Sequence, residues 1–148
     1  MKYFLTFLTV MVLHHISLAQ QDDIKQPITN LFEGMRKSDS SLIRAAFAPG
    51  AIMQTVIKNK DSGTEVRTES VSDFITAVTK PHKEVYDERI TYDVIKTDGD
   101  LAIAWTPYQF YIDNTFSHCG TDSFQLIKIN GQWKIQYLID TRRKQNCQ

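Results

Sequence analysis

The most constraining feature of this chain is its C-terminal half, where four apolar-rich runs are divided by two-residue turn signals. Arg89 to Lys96 runs to Asp98-Gly99, and Leu101 to Ile112 runs to Asp113-Asn114. Thr115 to Ile129 runs to Asn130-Gly131, and Gln132 to Arg142 closes the pattern. Asn-Gly is the strongest of these hairpin signals, because both turn positions need positive φ. Asp113-Asn114 is weaker, since Asn tolerates that conformation less readily than Gly. Long runs joined this tightly have one economical solution, a meander in which each strand pairs antiparallel with its neighbour in sequence.

The N-terminal half has helical spacing instead. Ile24, Ile28, Leu31, Phe32 and Met35 recur every three or four residues with charges between them, which predicts an amphipathic helix over Asp22 to Lys37. Ser38-Asp39 interrupts it and supplies a cap for a short second helix carrying Leu42, Ile43, Ala46 and Phe47, which Pro49-Gly50 ends. Ala51 to Ile57 reads as a strand, Asp61-Ser62-Gly63 as a turn and Thr64 to Thr68 as the returning strand. Ser70 and Asp73 are placed as a capping box for a third helix with Phe74, Ile75 and Val78, stopped by Pro81. The order predicts an α+β domain in which a long, curved antiparallel sheet wraps around about three helices.

The domain begins after a leader. Lys2 is followed by an apolar run from Tyr3 to Leu13, and Ser17-Leu18-Ala19 puts small residues where a signal peptidase reads. Residues 1–19 therefore read as a signal peptide cut after Ala19, residues 20–148 as the domain, and the location as periplasmic or secreted. The run is too short to span a bilayer and His14 and His15 interrupt it, so no membrane association is expected after cleavage. A chain of 148 residues fits one domain, and its net charge of +0 argues against a nucleic-acid partner. No internal repeat, phosphate loop, nucleophile elbow or zinc motif occurs, so no cofactor is implied.

The turns also set a register. With Asn130-Gly131 as a two-residue loop, Leu126 faces Ile135, Phe124 faces Tyr137 and Asp122 faces Ile139. With Asp113-Asn114 as another, Leu101 faces Leu126, Ile103 faces Phe124 and Trp105 faces Asp122. Directly paired residues share a face, so one face carries Leu101, Ile103, Trp105, Phe124, Leu126, Trp133, Ile135, Tyr137 and Ile139. At ~25 cal/mol per Å2 of apolar surface buried, this outweighs any other grouping and reads as the inner face. The opposite face, with Ala102, Ala104, Thr106, Ser123, Gln125, Asp140 and Arg142, is expected to be solvated or to carry a dimer contact. One β-bulge would exchange the two faces beyond it.

The same parity brings Gln109, His118 and Asp122 to one end of the inner face, where polar groups beside apolar ones suit the mouth of a small-molecule pocket. The alternative is that they lie beyond the helices and meet water. Arg143 is expected across from His118, within reach of an anionic ligand group, while Asp140 and Arg142 read as a structural ion pair. His118 and Cys119 point to opposite faces, which argues against a shared metal ion. Cys119 and Cys147 form a candidate disulfide in an oxidising compartment. Two unrelated thiols remain the alternative, because Cys147 lies beyond the last strand.

These residues resemble a known family. Trp105-Thr106-Pro107-Tyr108, Ser117-His118-Cys119-Gly120, Ser123-Phe124, Trp133-Lys134-Ile135 and Asp140-Thr141-Arg142-Arg143 are similar to the exported bacterial group named putative lumazine-binding, within the nuclear transport factor 2-like superfamily. Leu31 to Asp39 resembles that family's first helix and its exit, and Asp113-Asn114 departs from the Asp-Gly that relatives carry. The resemblance implies a cone-shaped sheet around helices, a pocket inside it and a homodimer through the outer sheet face. It leaves activity undecided, since the superfamily holds isomerases, dehydratases, cyclases and plain binding modules. On a ketosteroid-isomerase-like reading, Asp122 or His118 would be the base and Tyr137 or Tyr108 the oxyanion donor. That family pattern has its tyrosine on the first helix, where this chain has none. The leading expectation is a domain that binds a small, partly apolar molecule through Trp105, Gln109, His118, Asp122, Tyr137 and Arg143. The rivals are a proton-transferring isomerase or dehydratase, and a protein-interaction module whose cone is filled by its own side chains.

Overall fold

The structure, a computed structural model, describes residues 2–59 and 63–147. Asp61 and Ser62 of the expected turn lie outside the described residues, as do Met1 and the side chains of residues 2–19. Helix α1 (Lys2–Lys37) buries Ile24, Ile28, Leu31, Phe32 and Met35, the stripe that the spacing predicts. The backbone leaves α1 at Ser38, which takes φ 53°, and Asp39 caps α2 (Ser40–Ala46) by accepting from the backbone N–H groups of Ser41 and Leu42. Ser70 caps α3 (Val71–Thr79): its hydroxyl accepts from Asp73 N–H at 3.0 Å and donates to the Asp73 carboxylate at 2.7 Å.

Seven strands complete the domain: β1 (Phe47–Asn59), β2 (Gly63–Glu69), β3 (Tyr86–Ile90), β4 (Val94–Asp98), β5 (Leu101–Ile112), β6 (Thr115–Ile129) and β7 (Gln132–Arg143). They form one unclosed sheet in the order β2-β1-β7-β6-β5-β3, with β4 sharing the edge of β5 that β3 occupies. The expected single strand from Arg89 is two strands, interrupted over Thr91–Asp93. The sheet is mixed, because β1 runs parallel to β7 while its other pairs are antiparallel. The α+β architecture of three helices against a curved sheet is as the sequence order predicts.

The register is regular at the Asn130-Gly131 turn and then departs from the two-residue-loop count in two places. Between β6 and β7, Leu126 pairs with Ile135 but Gln125 pairs with Tyr137, leaving Gln136 as an extra residue. Between β5 and β6, Tyr111 pairs with Phe116 but Phe110 pairs with His118, leaving Ser117 extra. Each extra residue is a β-bulge, and each shifts the pairing beyond it by one position. On β6 the predicted inner residues Asp122, Phe124 and Leu126 do face inward and are buried. On β5 the faces are exchanged: Ala102, Ala104, Thr106 and Tyr108 are buried, while Leu101, Ile103 and Trp105 lie outside, Trp105 at 47% exposure. On β7, Trp133 and Ile135 are inside as predicted, but past Gln136 the inner residues are Leu138 and Asp140, not Tyr137 and Ile139.

Helix α1 packs against the sheet chiefly over β7 and β3. Phe32 of α1 meets Phe124 edge to face at 6.3 Å between ring centroids, within a core that includes Ile24, Ile28, Leu126 and Ile135.

Candidate functional site

The inner face is packed at the end nearer Asn130-Gly131 and hollow at the other. A cavity of about 420 Å3 opens there between the sheet, α1 and α3. Its walls are apolar where the helices contribute, through Leu31, Phe32, Met35, Phe74 and Val78. Its sheet wall sets a polar group, Glu88, Tyr108, His118, Asp122, Asp140 and Arg142, among the apolar Met53, Phe110, Ile112 and Leu138. Both bulges create that wall. The Ser117 bulge turns Thr106 and Tyr108 inward, and the Gln136 bulge does the same for Asp140 and Arg142. Bulges recur beside functional sites because they re-aim side chains in this way.

Within the wall the groups are paired. Tyr108 donates its hydroxyl to Asp140 Oδ2 at 3.1 Å and to the Thr141 carbonyl at 2.9 Å. Arg142 Nε donates to the same Asp140 oxygen at 3.0 Å. Thr106 donates to Asp122 Oδ2 at 3.2 Å, and Glu88 lines the same cavity from β3. Tyr108 reaches this position because residue 120 is glycine. A Cβ there would come within 2.6 Å of the Tyr108 ring and 1.7 Å of the Thr141 carbonyl oxygen.

Crowding acids into an apolar recess changes their titration. Burial pushes Glu88 up to about 8, the Asp140 charge adds to the rise, and Arg142 opposes it. Burial likewise holds Asp122 well above the carboxylate range, reinforced by Glu88 and Asp140. Tyr108 is raised beyond its ordinary value, first by burial and then by the neighbouring carboxylates. His118 is lowered, by burial and then by Arg142, and its ring lies 4.9 Å from Phe110 with a ring nitrogen 3.1 Å from the Ser117 hydroxyl. These shifts favour the neutral forms of Glu88, Asp122 and His118, beside one Asp140–Arg142 ion pair.

Of the six residues expected to line a pocket, Asp122 and His118 lie at the cavity. The other four lie on the outer face, for the register reason given above. Trp105 is exposed there, Tyr137 donates to Gln54, Gln109 accepts from the Tyr111 hydroxyl at 2.8 Å, and Arg143 pairs with Cys119 and donates to the Asn146 carbonyl. Tyr137 therefore cannot serve as an oxyanion donor to the cavity, whereas Tyr108, the other candidate, faces it. Asp140 and Arg142 form the expected ion pair, but inside the cone. Glu88 was not anticipated. Its signal was the alternation Tyr86, Glu88, Ile90, which sets one acid between two inward-facing residues of β3.

Cys119 and Cys147 are joined in a disulfide, with their Cα atoms 5.8 Å apart, which folds the tail back over the outer face. Among the described residues no group of three or more His, Cys, Asp or Glu side chains is arranged to hold a metal ion.

The family model described as "Putative lumazine-binding" matches residues 19–137. No curated protein matches the chain significantly. Among solved structures, an NTF2-like protein of unknown function from Shewanella baltica is 18% identical, covers 85% of this chain and 95% of its own, and superimposes with a TM-score of 0.64. A protein of unknown function with a cystatin-like fold from Nostoc punctiforme is 14% identical, with 84% and 92% covered and a TM-score of 0.63. The beta subunit of a putative aromatic-ring-hydroxylating dioxygenase from Novosphingobium aromaticivorans is 11% identical, with 87% and 92% covered and a TM-score of 0.70. At such identities these likenesses concern the fold alone, and the fold is the one the sequence motifs implied.

Proposed function

The chain belongs to the putative lumazine-binding family, and on that premise we propose that its hollow end is a receptor for a small, partly apolar molecule. The observation that carries this reading is a cavity with a largely apolar lining, all of it apolar on the helix side, and a few polar groups, Glu88, Asp122 and Tyr108, converging from the sheet. Binding sites are built this way, with a large apolar lining for affinity and a few convergent polar groups for orientation. The family's description makes lumazine the first ligand to offer. The test is native mass spectrometry of protein purified from its own host, beside an Ala77→Trp variant whose added ring would fill the cavity. A retained small-molecule mass in the wild type that the variant lacks supports the reading; identical spectra without ligand, together with no lumazine binding by either protein, would overturn it.

A second reading rests on the raised carboxyls. An acid kept protonated near neutrality suits proton transfer beside a carbonyl, with Asp122 or Glu88 as acid–base and Tyr108 as donor. Turnover of an enolisable carbonyl compound that survives Asp122→Asn unchanged would remove this reading.

We further propose export, supported by the leader pattern and the disulfide, and read out as a mature N-terminus at Gln20. Pairing of two copies through the outer face is proposed from the exposed Leu101, Ile103 and Trp105. Among the described residues no helix is long and apolar enough to cross a membrane.

A further inference from the structure

The sheet wall holds an unevenly exposed ion pair beside a run of rings. Arg142 Nε donates to Asp140 Oδ2 at 3.0 Å, and the Tyr108 hydroxyl donates to the same oxygen. The Arg142 side chain is 53% exposed and that of Asp140 10%, so the pair shows its positive member at the cavity and keeps the negative one covered. A guanidinium carries five N–H donors in a flat fork. One is committed to Asp140, and those on the terminal nitrogens have no protein partner among the described residues.

Four rings line the same cavity in an unbroken run. Between centroids, Tyr86 lies 5.9 Å from Phe110, Phe110 4.9 Å from His118 and His118 5.8 Å from Tyr108. The run crosses β3 and β5 and reaches β6, the neighbour of β7, where Arg142 stands. Tyr108, Gly120 and Arg142 are register partners across β5, β6 and β7. Leu31 and Met35 of α1 and Phe74 and Val78 of α3 close the other side.

We infer that the cavity takes an aromatic carboxylate, its rings against Phe110 and His118 and its carboxylate on the free fork of Arg142. This rests on the receptor reading above and deepens it. Two parallel N–H···O bonds from one guanidinium match a carboxylate, and such charge-assisted bonds are about twice as strong as neutral ones. A ring beside Phe110 and His118 gains the offset or edge contacts that aromatic pairs favour. The other charges leave room for the anion. Asp140 is matched by Arg142, and Glu88 and Asp122 are held toward their neutral forms, chiefly by burial. His118 is held neutral by burial and then by the Arg142 and Lys144 charges, against Asp140 alone. Glu69 is exposed at the end of β2, with β1 between it and β7. A cationic ligand would meet Arg142 first, because Asp140 is the covered member of the pair.

The experiment is isothermal calorimetry at pH 7, on protein with its disulfide intact, with three probes on one bicyclic skeleton: 2-naphthoate, 2-naphthamide and decahydro-2-naphthoate. Wild type should bind the aromatic acid at least about tenfold tighter than the amide, as hydrogen bonds to a charged group imply. It should bind the saturated acid about threefold more weakly than the aromatic one. Arg142→Gln should bring the acid-to-amide ratio close to one. Arg142→Lys, which keeps a charge beside Asp140 but not the fork, should lose most of the ratio. A change in folding alone would weaken both ligands together and leave the ratio as it was. Arg143→Gln, on the outer face, should keep the wild-type ratio, and Phe110→Leu should remove the preference over the saturated acid. An acid-to-amide ratio below about tenfold in wild type, or one that Arg142→Gln does not move, overturns the inference and leaves the cavity as the binding site. So does a saturated acid that binds as tightly as the aromatic one. Failure of all three probes to bind wild type at millimolar concentration overturns the receptor reading as well.

Discussion

The two ends of the inner sheet face are built from the same strands and do opposite things. Toward Asn130-Gly131, Ala102, Ala104, Phe124, Leu126, Trp133 and Ile135 lie under α1, none more than 5% exposed. Toward Asp113-Asn114, Tyr108, His118, Asp122, Asp140 and Arg142 surround empty space. The polar stretch is bracketed by the two bulges, Gln136 on one side and Ser117 on the other. A bulge bends its strand and increases the local twist. The regular ladder therefore carries stability, and the irregular ladder carries the site. Acids crowded together would weaken a packed core, and here they stand where there is little packing to lose.

The contrast can be broken at its stable end first. Phe124→Ala, at a side chain that is fully buried, should cost about 3–5 kcal/mol in urea unfolding. Phe74→Ala, on the half-buried wall of the cavity, should cost less than about half of that; equal losses would mean that the hollow end is as tightly packed as the other. Next in size is Gly120→Ala, expected to cost about 2 kcal/mol through overpacking against Tyr108 and the Thr141 carbonyl. Its structure should show the Tyr108 hydroxyl displaced from Asp140. A variant as stable as wild type with that bond intact would contradict the close approach.

The effect of pH is graded, at most about 1.4 kcal/mol for each pH unit crossed. Glu88 is raised from its ordinary 4.5 to about 8 in the folded protein, so the native state binds its proton more tightly than the unfolded chain. Stability should therefore fall as pH rises from about 4.5 to about 8 and level off above that. Glu88→Gln should flatten this decline, and an unchanged profile would place the titration elsewhere. The smallest change in stability is expected for Trp105→Ser on the outer face, within about 0.5 kcal/mol, while sedimentation should show any self-association reduced. A large loss of stability in the monomer would mean that Trp105 packs inside after all.

Much of this architecture was legible in the chain. The helical stripe from Ile24 to Met35, the caps at Asp39 and Ser70, and the Asn130-Gly131 hairpin are local signals, and each is where the residues indicated. The β6 parity, with Asp122, Phe124 and Leu126 inward, also held, because it was counted from a regular turn over a short distance. What could not be read was the bulge. Ser117 and Gln136 carry no signature that marks them as extra residues, yet the first reverses the expected parity of β5 and the second that of the rest of β7. Weight of apolar area then misled, since Leu101, Ile103 and Trp105 outweigh Ala102, Ala104 and Thr106 and still lie outside. Glu88 was missed for a simpler reason. Its strand begins at Tyr86, and a run counted from Arg89 leaves it in the preceding loop.

The parallel pairing of β1 with β7 has a kinetic consequence. It brings together residues as far apart as Gln54 and Tyr137, separated by 83 positions and bonded side chain to side chain. Contacts of such span form late, after the local hairpins that join β5, β6 and β7. Until β7 has formed, β1 and β2 have no third strand to rest on. A chain built this way closes its sheet only when β7 reaches β1, so in refolding the β1–β2 hairpin should gain hydrogen-exchange protection last.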